Sequence, residues 1–320
     1  MNTPIPQDQV EEIRTQLYPE GVSRELIAER LLLFVETEGD LLPAADSPLR
    51  QLGRELYRDD VGLDRCEKII ATDAALTYLV LRAADMASLG SRKFTVPYAV
   101  MFLGLARLRV LFGVEVLKRM TANGVSKAWV PFWERNLFVA RFLERLAVYY
   151  YPVDGTEYLA GLLHDASWPA TVTFFKREYG ILFDEPDALF HLEKEIFPVP
   201  HAAISAAMCV RSGLPGHVVD AVAQHHDALL PDETRMKGLK TLRYNGPFLG
   251  VLLQIANRVA DAQGFPPSGD STRTQTMADV LASPEVAWIS TFGLPPNLER
   301  TAHEELQQVR KAQGLFLPAV

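Results

Sequence analysis

Residues Leu159 to Trp168 read LAGLLHDASW, an apolar helical run that ends in an adjacent histidine and aspartate. Leu159, Leu162 and Leu163 share one helical face, as a buried helix requires. Ala160 and Gly161 are small enough to let a neighbouring helix approach closely. His164 and Asp165 are side chains that a core tolerates only when they are paired. An imidazole nitrogen beside a carboxylate is the beginning of a metal site. Without a metal, the same two groups make a buried structural network. A metal site needs further ligands, and they must come from other helices.

The elements that would carry those ligands are helical. Gln7 to Tyr18 and Val22 to Glu38 read as two amphipathic helices separated by Gly21, with Ser23 as the N-cap of the second. Leu41 to Pro48 is a linker. Shorter helices follow over Leu49 to Tyr57, Leu63 to Ala71 and Ala74 to Ala87. A long apolar helix then runs from Tyr98 towards Met120, with Lys118 and Arg119 at its carboxyl end complementing the dipole. Another helix opens at Trp133, and Trp129 and Trp133 flank Pro131 as a staple between the two halves. Near the end, Pro266 to Gly269 form a loop, Ala287 to Phe292 a short apolar patch, and Asn297 to Lys311 a last amphipathic helix. That helix either covers this chain's own core or docks on another protein. No pair of alternating strands is found, so the fold class is all-α. It is a multi-helix bundle in which an amino-terminal helical subdomain packs on a second bundle.

Composition limits the function. With 320 residues, 48% hydrophobic and 22% charged, the chain can bury a sizeable core. A net charge of −8 gives no electrostatic reason to expect nucleic acid or an anionic membrane as partner. No run approaches the roughly 20 apolar residues that span a bilayer. The first residues, MNTPIPQDQVEEIRTQ, lack the basic-then-apolar pattern of a signal peptide. Cys66 and Cys209 lie in apolar helical contexts and read as buried thiols in a reducing compartment. A cytoplasmic location is expected.

The run Thr72 to Gly104 resembles the first half of an HDOD domain, the HD-related output domain of bacterial signalling proteins. That family has a D-P-A-L start, an L-R-x-A-N-S centre, a glycine, a basic pair and a final L-L-G. Here these are Asp73-Ala74-Ala75-Leu76, Leu81-Arg82-Ala83-Ala84-Asp85, Gly90, Arg92-Lys93 and Phe102-Leu103-Gly104, with Asp85 replacing the usual asparagine. Trp133 stands where the family reads W-x-H-S, and Glu193 to Asp227 resembles its second-half block. The resemblance runs from Leu41 to near Ala262. It implies an HDOD-like domain over residues 41–265, in halves 41–125 and 126–265, with helical extensions at 1–40 and 266–320.

Active HD phosphohydrolases use histidines and aspartates from several helices to hold one or two metals that activate water. The resemblance places His164 and Asp165 on the paired ligands, and His201, His225 and His226 on further histidines of the branch that hydrolyses cyclic dinucleotides. It also implies losses. The first ligand, a histidine, is Arg135, and the last, an aspartate, aligns with Asn257; Asp261 lies one turn further on. Ala166-Ser167-Trp168 replaces the x-G-K that follows the active pair, and no G-Y-P follows His226. Arginine offers only donors and cannot ligate a cation. Together the two exchanges add about two positive charges, several kcal/mol against a bound dication at short range. The expected arrangement has Arg135 in the metal's place, ion-paired to Asp165, with no metal and no cofactor. His201, His225 and His226 also have plainer readings, as a core histidine and as helix carboxyl-end residues.

The expected function is a non-catalytic signal-transduction module. It acts through contacts with signalling proteins, or by sensing a small ligand in the remnant pocket of Arg135, His164, Asp165, His201, His225, His226 and Asn257. The alternative is a metal-dependent phosphohydrolase of nucleotides or cyclic dinucleotides. Oligomeric state is open.

Overall fold

Apolar side chains recur at helical spacing almost throughout, and the computed structural model is correspondingly all-helical among its described residues. These are 7–18, 22–37, 47–58, 60–88, 94–121, 130–181, 193, 196–226, 230, 242, 244–265, 275–293 and 297–316. The linker at 41–46, Gly90, Arg92, Lys93, Trp129 and the loop at 266–269 lie outside them.

Helices α1 (Gln7–Leu17) and α2 (Arg24–Thr37) form the amino-terminal pair. The Ser23 hydroxyl accepts from the Leu26 amide at 3.3 Å, the expected cap. Val10, Leu17, Ile27, Leu31, Phe34 and Val35 belong to the same continuous core as the rest of the chain. The pair also grips the segment that leads to His201. Tyr18 donates its hydroxyl to the Ile196 carbonyl at 2.5 Å, and Arg24 Nη2 donates to the Phe197 carbonyl at 2.8 Å.

Helices α3 (Pro48–Leu56), α4 (Leu63–Ile70) and α5 (Ala74–Ala87) follow. Asp73 caps α5 by accepting from the amides of Ala75 and Leu76 at 2.9 and 3.0 Å. Helix α6 (Val96–Thr121) contains a break that the apolar pattern does not announce: Gly104 has φ 68° and ψ 174°. Only glycine takes that conformation without a Cβ penalty. Helix α7 (Val130–Ala147) then packs against α8 (Thr156–Leu163). The small residues read in the sequence make this contact possible. A Cβ on Gly161 would lie 2.5 Å from Cα and 2.7 Å from N of Ala140.

The run from Leu159 to Trp168 is two helices. Helix α8 stops at Leu163, His164 to Ala166 form a turn, and α9 (Ser167–Tyr179) begins. The reason is Pro169, which has no N–H to continue a helix from α8 but is well suited to the first turn of a new one. His164 and Ala166 keep right-handed helical backbone angles in this turn, so the two helices join closely there. Beyond it come α10 (His201–Arg211), α11 (Gly216–Ala223) and α12 (Gly246–Ala262). The short α13 (Met277–Leu281) and α14 (Pro284–Ile289) precede α15 (Leu298–Phe316). Helix α15 packs on α7, burying Leu298, Ala302 and Val309, and its buried Glu305 meets Arg141 Nε at 2.7 Å. It covers this chain's own core. None of the described helices is long and apolar enough to cross a membrane.

Candidate functional site

The residues expected in the pocket fall into two buried polar groups. The first gathers on Asp165, in the turn between α8 and α9. His164 precedes it, His201 is the first residue of α10, and His225 and His226 follow the end of α11. Asp165 Oδ2 is 3.1 Å from His164 Nε2, and Oδ1 is 3.0 Å from His201 Nε2 and 3.3 Å from His225 Nε2. His201 Nε2 is in turn 3.2 Å from His225 Nε2 and 2.9 Å from His226 Nε2. His164, Asp165, His201 and His225 are buried, and His226 is partly so. Trp168 stacks on the His201 ring at 4.8 Å and closes that side.

Backbone and carboxylate acceptors fix three of the imidazole tautomers. His164 Nδ1–H donates to the Gly161 carbonyl at 2.8 Å, and His225 Nδ1–H to the Val222 carbonyl at 2.7 Å. His201 Nδ1–H donates to both oxygens of Glu193 at 2.8 Å. A neutral imidazole with its proton on Nδ1 presents a lone pair at Nε2. Three Nε2 atoms therefore face Asp165, and a second proton on His201 lets its Nε2–H donate to Oδ1. With neutral imidazoles neither oxygen of Asp165 accepts a hydrogen bond; a second proton on an imidazole supplies one. The His201 imidazolium supplies the positive charge that a buried carboxylate in this position needs.

Charge settles unevenly over the group. Burial pushes the Asp165 carboxyl up, but His164, with His201 and His225, outweighs it and holds it well below its usual range. Burial would lower His201, yet Asp165 and Glu193 raise it to about 9. Burial takes His225 down to about 4, and burial together with the neighbouring imidazoles also lowers His226. As a donor set the group fits a divalent transition metal. One atom each from Asp165, His201, His225 and His226 lies within 4.8 Å of every other.

The second group is centred on Arg135, fully buried on α7. Its Nη1 donates to Asp261 Oδ1 at 2.7 Å and its Nη2 to Asn257 Oδ1 at 3.0 Å, both on α12. The expected ion pair with Asp165 is thus replaced by one with Asp261, whose side chain stands one turn beyond Asn257. Burial raises the Asp261 carboxyl, with Arg135 pulling it down and Asp165 adding to the rise. All seven residues expected in the pocket are therefore placed: five converge on one point, and Arg135 and Asn257 form a separate bonded pair with Asp261. Glu193 and Trp168 complete the histidine side. Glu193 opens the second-half block of the resemblance, eight residues before His201, which was the available signal.

A model of the HDOD domain matches residues 42–228. An uncharacterized protein of Treponema pallidum (strain Nichols) is 24% identical over 231 residues, covering 68% of this chain and 44% of that protein. The chain thus spans less than half the length of this curated relative. The crystal structure of an HDOD domain protein of unknown function from Geobacter sulfurreducens superposes with a TM-score of 0.60 at 19% identity, covering 91% of this chain and 99% of the other. A protein from Marinobacter aquaeolei VT8, provisionally named for signal transduction, gives a TM-score of 0.60 at 14% identity, covering 96% of this chain and 68% of the other. At such identities the superpositions establish the fold. With the family match extending over more than half of its length, the chain belongs to the HDOD domain family.

Proposed function

We propose that this HDOD chain is a non-catalytic regulatory module of signal transduction, acting through contacts with signalling proteins or through a small ligand in its polar pocket. The observation that carries this reading is the state of Arg135. Hydrolysis of a phosphate ester at an HD site uses a metal with an open position for water. At the position where the resemblance puts the first metal ligand, this chain has a buried guanidinium committed to Asp261 and Asn257. A group with only donors cannot turn to coordinate a cation. The name of the Marinobacter protein points the same way.

The test is hydrolysis. The purified chain, with Mn²⁺ present, is assayed on bis(p-nitrophenyl) phosphate and on a cyclic dinucleotide, beside Asp165→Asn. Equal, background rates are expected. Turnover by the parent that Asp165→Asn abolishes would replace the regulatory reading with the phosphohydrolase.

A further inference from the structure

The structure assigns α15 a second role beside covering the core: it is a displaceable helix, and the face of α7 beneath it is a docking surface for a helix of another protein that carries the same stripe of small apolar residues and glutamates. Only the signalling nature of that protein rests on the regulatory reading. Displacement of α15 involves no hydrolysis and is tested apart from it.

The apolar hold on α15 is narrow. Leu298, Thr301, Ala302, Glu305 and Val309 are its buried residues against α7, spaced as a single helical face, with Leu306 half-buried beside them. Thr301 and Ala302 are small, and the middle of the stripe is a carboxylate. Helix α12 packs on α7 as well, and it buries Phe248, Leu249, Val251, Leu252, Leu253 and Ile255. Burial of apolar surface is what fastens a helix to a fold, so α15 is fastened far less firmly than α12.

The rest of the hold is ionic. Glu305 Oε2 meets Arg141 Nε at 2.7 Å, and its Oε1 lies 3.7 Å from Arg145 Nη1. Glu304 Oε2 meets Arg145 Nη2 at 3.2 Å, while its other oxygen is taken by Arg300 of its own helix at 2.8 Å. The Arg141 and Arg145 side chains are 37% and 49% exposed, so water and salt compete for them. Glu305 is the buried member of the group, and a carboxylate is accepted at that depth because two guanidiniums face it. Glu144 of α7 lies in the field of both Arg141 and Glu305, so docking brings a second carboxylate to a guanidinium that already has one.

Helix α7 keeps its place without α15, because its other faces pack on α8 and α12. Lifting α15 away leaves a rigid helical face with Arg141 and Arg145 at its edge. The occupant that this face fits is read from the one it has: an amphipathic helix with small apolar residues at helical spacing and a glutamate pair towards the arginines. Such a helix enters by replacing α15. Its apparent affinity is therefore reduced by the fraction of chains in which α15 is docked, a tethered competitor at high effective concentration.

The test follows the full chain by amide hydrogen exchange and by binding of a fluorescent peptide of residues 297–316. In the parent, α15 amides are expected to exchange faster than those of α7 and α12. Raising salt from about 0.05 to about 1 M, where the Debye length falls to about 3 Å, should speed α15 further and leave α12 unchanged. Glu305→Lys sets an ammonium against Arg141 and Arg145. It should strip α15 of protection while α12 keeps its own, and this chain should bind the peptide at least about 10-fold more tightly than the parent. The same peptide carrying Glu305→Lys should not bind. Parent α15 amides that exchange as slowly as those of α7 and are indifferent to salt would overturn the proposal, and that measurement stands even if the Glu305→Lys chain fails to fold. A folded Glu305→Lys chain that binds the peptide no better than the parent would overturn it as well.

Discussion

Glu157 should make the stability of this chain fall as pH rises towards neutrality. It is fully buried in the first turn of α8. Its Oε2 accepts from the Asp154 amide at 3.3 Å, and its Oε1 has no hydrogen bond. The nearby cation does not serve it: Arg109 meets Asp154 Oδ2 at 2.6 Å and donates to the carbonyls of Leu56 and Asp154. Burial first, then the charges of Asp154 and Glu144, raise the Glu157 carboxyl from an ordinary 4.5 to about 7. Below pH 4.5 the group is protonated folded and unfolded alike, and its contribution to stability is intact. Between 4.5 and about 7 the unfolded chain gives up the proton that the folded chain retains, so stability declines. Above the folded value the loss is complete. At about 1.4 kcal/mol for each pH unit of displacement, it amounts to about 3 kcal/mol.

Glu157→Gln isolates this effect. Its amide oxygen still accepts from Asp154, and its amide nitrogen is a buried donor costing about 1–3 kcal/mol at every pH. That cost is a constant offset. The difference in unfolding free energy between variant and parent, measured by urea denaturation from about pH 4.5 to about pH 8, should therefore move by about 3 kcal/mol in favour of the variant. Other titrating groups cancel in the difference. A difference that stays constant across that range would refute the reasoning, because it would mean that Glu157 ionises in the folded chain as easily as in the unfolded one.

Two further outcomes are expected. Arg135→Met strands the carboxylate of Asp261 and Asp261→Asn strands the guanidinium, so each should cost about 3–5 kcal/mol in denaturant unfolding, while the double variant recovers much of the loss; strictly additive losses would show that the two charges are not coupled. Gly161→Ala drives a Cβ to 2.5 Å from Ala140 Cα, where only backbone can yield, so α7 and α8 must part and the midpoint of thermal unfolding must fall; the overpacking cost is about 1–3 kcal/mol, and an unchanged midpoint would contradict the packing.

Periodicity was enough to read both ends of the first six helices to within two residues, because burial of one face sets where the apolar spacing starts and stops. Helix α5 falls on Ala74–Ala87, as expected. The break at Gly104 was hidden because a glycine inside an apolar helical run is ordinary until its φ is known. The division of the run at His164 was signalled by Pro169, though the apolar spacing on either side reads as continuous. In the site, His164 and Asp165 were legible by type, and His201, His225, His226, Arg135 and Asn257 by resemblance. What the sequence does not display is which acceptors hold the imidazole N–H groups. Two of the three are main-chain carbonyls, of Gly161 and Val222, and every residue has one.

The partner of Arg135 was misread for a reason of the same kind, and it changes the electrostatics of the whole pocket. Counting exchanges along the chain, an arginine for a histidine and an asparagine for an aspartate add positive charge to a metal position. That count takes the guanidinium as facing Asp165. Asp261 stands one turn further along α12, and its oxygen reaches Arg135 at 2.7 Å. A buried pair closed in this way has a field that falls off faster than that of a lone cation. Asp165 is therefore left to the imidazoles, and its state is decided by the backbone carbonyls and the Glu193 carboxylate that orient them. The pairing of Arg135 with Asp261 and the gathering of imidazoles around Asp165 are in this way two separate polar arrangements.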